Sequence, residues 1–247
     1  MLAQERFEKI LELLRKEQSV SVSDLTRQLN TSESTIRRDL TALDKQGLLI
    51  KVHGGATAVK SVFALEEAVT LKSKKNLDEK RKIAQYAADL VSSNDFVYID
   101  AGTTTEFMID YLKEQDVTYV TNGIGHARKL MNAGFHVILI GGEIKAVTEA
   151  VVGDDALENL EKYNFTKGFF GTNGIDGDRG LTTPDLKEAS VKRKALSHCR
   201  EVYILADHSK FHQISSVKFG NIEDTIIITD QLKNKDFYHL TTIKEVF

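Results

Sequence analysis

The sequence predicts an α/β protein made of an N-terminal winged helix-turn-helix and a mainly parallel, helix-wrapped sheet. Three observations carry that expectation. Apolar residues recur every three or four positions in short stretches before residue 47. A basic, glycine-centred hairpin pattern follows at 48–59. From residue 96 on, short apolar runs alternate with helix-length segments, as in sheets whose strands are joined by helices.

The first helix is expected over 3–16, where Phe7, Ile10, Leu11 and Leu14 form one stripe. Val20 and Val22 alternate with serines and read as a short extended entry. Ser23 then caps a helix over 24–29, and Asn30-Thr31 marks a turn. Ser32 caps a third helix that runs to about residue 46 and stops at Gly47. Ile36, Leu40 and Leu43 share its inner face, which turns Ser34, Arg37, Arg38 and Thr41 outward. Hydroxyls near a helix start suit phosphates, and arginine can fork onto guanine O6 and N7 or onto a phosphate. The hairpin puts Lys51 and His53 on one strand, Gly54-Gly55 in a two-residue turn and 56–59 in the return strand. A polar-started Arg-Arg helix followed by a basic wing is what holds a major groove and its flanking phosphates. The expected contacts with double-stranded DNA are Ser32, Ser34, Thr35, Arg37, Arg38, Lys51, His53 and Gly54.

A length of 247 residues holds two domains comfortably. No apolar run approaches the roughly 20 residues that span a bilayer, and residues 1–8 are acidic where a signal peptide would be cationic. A cytoplasmic protein without a membrane partner is therefore expected. The single cysteine, Cys199, excludes an internal disulfide and reads as a small core residue. Net charge is −3, but residues 1–60 hold 10 Lys+Arg against 8 Asp+Glu. The positive balance is thus confined to the first part, where Arg37, Arg38, Lys51 and Lys60 have to do the electrostatic work.

Residues 1–58 read as the DNA-binding domain, 59–77 as a linker containing Lys72-Ser73-Lys74-Lys75, and 78–247 as the second domain. Asp78 is expected to cap a helix over 79–92. Strands are expected at 96–99, 118–120, 137–140, 168–170, 202–205 and 225–228. Ligands of open parallel sheets sit at the C-terminal strand ends, and each such end here is polar or glycine-rich. Asp100-Ala101-Gly102-Thr103-Thr104-Thr105 follows the first strand and opens a helix. It reads either as an anion site of hydroxyls and N–H groups or as a plain turn capped by Asp100 or Thr103. No Gly-Lys-Ser/Thr follows, so it is not a Walker loop. Asn122, Gly141 and Asn173 lie after three further strands. Thr183 and Pro184 are expected to start a helix with Glu188 and Lys192 one turn apart. That pair reads as a surface ion pair or as ligands for a sugar hydroxyl and a phosphate. Lys210 is a further candidate cation. The seven histidines lack metal-ligand spacing, so neither a metal nor a cofactor is expected.

The motifs Ser34-Thr35-Ile36-Arg37-Arg38-Asp39-Leu40, Val52-His53-Gly54-Gly55-Ala56, Asp100-Ala101-Gly102-Thr103-Thr104 and Thr121-Asn122 recur together with three others. These are the run 171–176, Thr182-Thr183-Pro184-Asp185 with Glu188 and Lys192, and Asp207-x-Ser209-Lys210. The combination resembles the DeoR family of bacterial sugar-metabolism repressors along essentially the whole chain. The resemblance implies an operator-binding protein whose second domain senses a phosphorylated sugar that relieves repression. A homo-oligomer, dimer or tetramer, is expected on repeated operator half-sites. The expected effector residues are Asp100, Gly102, Thr103, Thr104, Thr105, Asn122, Gly141, Asn173, Glu188, Lys192 and Lys210. The run 30–35 looks most like fructose-operon repressors of Gram-positive bacteria, which implies fructose 1-phosphate. Tagatose 6-phosphate, as in lactose-system repressors, is the alternative. The second domain is also similar to ribose-5-phosphate isomerase. Where that enzyme family has Gly-Ala-Asp, this chain has Gly171-Thr172-Asn173, and an asparagine cannot act as a general base. A binding pocket without turnover is expected, against the alternative of an isomerase-like enzyme with an appended DNA-binding domain.

Overall fold

The computed structural model describes residues 3–17, 19–45, 49–52, 54–57, 75–232 and 235–247. The chain divides into two compact units, Met1–Ser61 and Val62–Phe247. His53, Lys60, Gly47 and the run Lys72-Ser73-Lys74 lie outside the described residues.

The first unit runs α1 (Ala3–Glu17), β1 (Ser19–Ser21), α2 (Val22–Leu29), α3 (Glu33–Lys45), β2 (Ile50–Val52) and β3 (Gly55–Thr57). Ile10, Leu14, Leu25, Ile36, Leu40 and Leu43 form its core. Two local expectations change. Ser21, not Ser23, caps α2, its side chain accepting from the Asp24 N–H at 3.0 Å, so the helix starts at Val22. The hairpin register pairs Val52 with Gly55, so Gly55 belongs to the strand and not to the turn. Gly54 has φ +87°, which glycine adopts without strain. Gly55 is needed for another reason. β3 pairs with β1 as well as β2, and a Cβ at Gly55 would strike the Val20 carbonyl oxygen.

The second unit contains α4 (Leu77–Ala88), β4 (Phe96–Ile99), α5 (Thr103–Met108), β5 (Thr118–Thr121), α6 (Ile124–Asn132) and β6 (His136–Leu139). Next come β7 (Glu143–Lys145), β8 (Ala150–Val152), α7 (Asp154–Leu160), β9 (Phe165–Gly171), β10 (Gly174–Asp176) and β11 (Gly180–Thr183). The chain finishes with α8 (Leu186–Ser197), β12 (Cys199–Leu205), β13 (Val217–Gly220), β14 (Ile226–Thr229) and β15 (Thr242–Glu245). Seven strands make one parallel sheet in the order β15-β14-β12-β9-β4-β5-β6. Its side chains alternate between faces: Tyr98, Val120, Phe170 and Ile204 pack on one, Val97, Ile99, Tyr119, Phe169 and Leu205 on the other. Both faces are covered, as a parallel sheet requires. All six expected strands form. The seventh, β15, and the small antiparallel sheets β7-β8 and β10-β11-β13 are additions.

The strand order reverses at β4, with β5 and β6 on one side and β9, β12, β14 and β15 on the other. Open α/β sheets hold ligands in the crevice that such a reversal leaves outside the C-terminal strand ends. Three helix starts there differ from expectation. Asn76 (φ 50°), not Asp78, precedes α4, and its amide reaches Asp207 Oδ1 at 2.8 Å. Gly102, not Asp100 or Thr103, precedes α5. Asp185 caps α8, accepting from the Glu188 N–H at 2.8 Å, because Thr183 is still paired in β11. Among the described residues no helix is long and apolar enough to cross a membrane.

Candidate functional site

The outer face of α3 is built by its inner one. Ile36, Leu40 and Leu43 are fully buried, which leaves Ser34, Arg37 and Arg38 exposed and Thr35 and Thr41 half-buried. Asp39, also buried, takes a two-pronged bond from Arg6, Nε to Oδ2 at 2.6 Å and the second nitrogen to Oδ1 at 3.1 Å, tying α1 to α3. Ser32 Oγ lies 2.9 Å from Thr35 Oγ1 and 3.0 Å from Ser34 Oγ, a cluster of hydroxyls at the helix start. Lys51 crosses from β2 to Thr41 Oγ1 at 2.7 Å, so wing and helix present their cations side by side. Arg37 touches Glu33 at 3.3 Å and Arg38 the Ser34 carbonyl at 3.3 Å. Contacts of this exposed kind are weak and easily exchanged.

In the second unit, residues from several elements meet outside the ends of β4, β9 and β12. The loop after β4 supplies 101–104, the loop after β9 supplies 171–173, and the turn after β12 supplies Asp207, Ser209 and Lys210. Lys80 of α4 is 4% exposed and donates to Thr103 Oγ1 at 3.2 Å. Lys192 of α8 donates to Asp100 Oδ2 and, at 3.1 Å, to the Gly171 carbonyl. Asp100 Oδ2 also accepts from the Gly171 N–H at 3.0 Å. The two loops at the strand-order reversal are thereby locked together over a buried ion pair. Thr104 is 7% exposed and lines the cleft, and its hydroxyl has no hydrogen-bond partner among the described residues. Burial alone would raise the Asp207 pKa, but Lys210 and the bonds from Ser209 and Asn76 outweigh it and hold the carboxyl below its ordinary value.

Glu188 and Lys192 do not pair with each other and are not a surface pair. Both are buried, and Glu188 accepts from Thr148 Oγ1 at 2.6 Å and lies 3.4 Å from Lys145 Nζ. Of the expected effector residues, Gly102, Thr103, Thr104, Asn173, Glu188, Lys192 and Lys210 line the cleft, and Asp100, Thr105, Asn122 and Gly141 do not. Thr105 is turned inward, donating to the Asp100 carbonyl at 2.6 Å and accepting from the Gly102 N–H at 3.0 Å. Asn122 accepts from the Ala101 N–H at 2.9 Å and donates to the Val151 carbonyl at 3.3 Å. Asp100, Thr105 and Asn122 hold the loop from behind through these bonds. Gly141 is exposed beside Asn159. Sequence reasoning missed Lys80 and Thr148. Lys80 shares the buried stripe of α4 with Ile83, Ala84 and Ala87, and a lysine within an apolar stripe is a legible signal. Thr148 sits in the β7–β8 turn, which carried none. Among the described residues no cluster could hold a metal ion, and burial pushes the Cys199 thiol up to about 12.

The model of the DeoR-like helix-turn-helix domain matches residues 6–62, and that of the DeoR C-terminal sensor domain matches residues 75–231. The chain belongs to the DeoR family. As a DeoR-family transcription regulator it is 42% identical to the uncharacterized HTH-type transcriptional regulator FruR of Bacillus subtilis, over 100% of this chain and 99% of that one. It is 33% identical to the lactose phosphotransferase system repressor of Staphylococcus aureus, over 98% of both chains. Ribose 5-phosphate isomerase A from Neisseria gonorrhoeae matches 53% of this DeoR-family chain and 52% of its own, at 16% identity and a TM-score of 0.39.

Proposed function

We propose that the protein represses a sugar-utilisation operon and releases DNA when a phosphorylated sugar enters the strand-end cleft. The observation that carries this reading is one cleft lined by Lys80, Lys192 and Lys210 together with the loop 102–104, whose Thr104 hydroxyl has no hydrogen-bond partner among the described residues. A phosphate accepts from hydroxyls, backbone N–H groups and ammonium groups together. Gly102, Thr103, Thr104 and the lysines hold the phosphate, and Asn173 and Glu188 orient the sugar. Ser32, Ser34, Thr35, Arg37 and Arg38 of α3 and its cap, with Lys51, His53 and Gly54 of the wing, hold the operator. The cleft also takes in Lys75 and Asn76, just before α4. A ligand there therefore touches the stretch of chain that leads back to the DNA-binding unit. Coupling requires the effector to prefer one of two states of the protein, and repeated half-sites call for at least a dimer.

Fructose 1-phosphate is the favoured effector, on the resemblance of the run 30–35 to fructose-operon repressors; tagatose 6-phosphate is second. An isomerase would need an ionised base where Asn173 stands, whose amide oxygen accepts from Thr183 Oγ1 at 3.3 Å. Incubation with a panel of sugar phosphates in an operator-binding assay tests the reading. Release of DNA by one member, recovered unconverted, is the expected result. Conversion of any member would establish an enzyme instead.

A further inference from the structure

A second cavity adjoins the first and shares Ala101, Gly102 and Thr148 with it. Its remaining wall includes Glu106 of α5, Gly125, His126 and Arg128 of α6, and Glu149 of the β7–β8 turn. Two carboxylates converge there. A Cβ on Gly125 would stand 3.6 Å from Glu149 Oε2 and 3.9 Å from Glu106 Oε1. Neither carboxylate has a hydrogen-bond or ion-pair partner among the described residues. Gly125 itself lies in a helix, where alanine is the better former, and its backbone is not left-handed. The space it leaves open is this cavity. His126 Nε2 meets the Gly102 carbonyl at 3.0 Å, fixing the wall common to both cavities.

Two glutamates outweigh the single arginine, so the cavity repels a second phosphate. Carboxylates accept from sugar hydroxyls, and a guanidinium donates to them. We infer that the second cavity receives the neutral, hydroxylated end of a sugar monophosphate whose phosphate lies in the first cleft, and that Glu106 and Glu149 exclude sugar bisphosphates. The inference rests on the phosphate cleft proposed above.

Calorimetric titration of the full-length chain tests it. The probes are inorganic phosphate, a panel of fructose 1-phosphate, fructose 6-phosphate, tagatose 6-phosphate and ribose 5-phosphate, and the bisphosphate of the tightest binder. The wild type should bind one monophosphate more tightly than its bisphosphate or inorganic phosphate. Gly125→Ala, which meets only ordinary van der Waals contacts, should weaken that monophosphate roughly tenfold and leave inorganic phosphate unchanged. Glu106→Gln combined with Glu149→Gln should narrow the preference over the bisphosphate. Equal binding of mono- and bisphosphate by the wild type, or an unchanged monophosphate affinity in Gly125→Ala, overturns this inference alone. Failure of the wild type to bind phosphate or any panel member overturns the cleft reading and this inference with it.

Discussion

The outer face of α3 and the floor of the strand-end cleft use charge in opposite ways. On α3, Arg37 and Arg38 are exposed and each makes one long contact. In the cleft, Lys192 and Asp100 are 7% and 1% exposed, bonded to each other and to the Gly171 backbone. Recognition is therefore separable from stability on the helix but not at the Lys192–Asp100 pair. A helix held by Ile36, Leu40 and Leu43 can change its outer residues freely. A cleft floor held by a buried ion pair cannot.

The largest effect is expected at Lys192. Lys192→Ala leaves Asp100 buried and uncompensated, which should cost about 3–5 kcal/mol of stability, read from chemical denaturation. Lys192→Met combined with Asp100→Asn should recover part of that loss. A change under about 0.5 kcal/mol in the single variant would mean the pair is not structural.

His126 gives the next largest effect. Burial lowers its pKa from 6.5 to about 4, so the unfolded chain takes up a proton first as the pH falls. The associated stability is fully present above about pH 6.5 and is lost progressively towards pH 4, on the order of 3 kcal/mol in all. Denaturation midpoints across that window should flatten in His126→Gln, and an equal slope in both proteins would remove His126 from the account.

On α3 the same kind of substitution should act on binding alone. Arg37→Ala should weaken operator binding by about 1–3 kcal/mol if it reads a base. The melting curve should stay within about 0.5 kcal/mol of wild type, because the Arg37–Glu33 pair is exposed. A comparable loss of stability would contradict the separation drawn above.

How much of this was legible in the sequence depended on the range of each interaction. The α3 faces follow from spacing within one helix, and the sheet follows from apolar runs buried on both faces. The Arg6–Asp39 bond joins residues 33 apart, and no local pattern announces it. Thr105 and Asn122 were legible as polar residues at strand ends. Their side chains bond to the Asp100, Gly102, Ala101 and Val151 backbone, and only the fold decides that. The strand β15 escaped because its residues, Thr-Ile-Lys-Glu at a sheet edge, carry no apolar run. The β7–β8 turn, which brings Thr148 and Glu149 to the two cavities, has no turn signal of the Gly/Pro/Asn kind in residues 146–149.

Thr104 offers the smallest structural perturbation and the most direct test. Its hydroxyl has no partner to lose, so Thr104→Ala should fold and bind operator as the wild type does, within about 0.5 kcal/mol. The decisive measurement is operator binding by fluorescence anisotropy while the effector sugar phosphate is titrated into wild type and variant. A release curve displaced to higher effector concentration, with operator affinity unchanged, is the predicted result. Superimposable release curves would contradict the assignment of this cleft as the sensor.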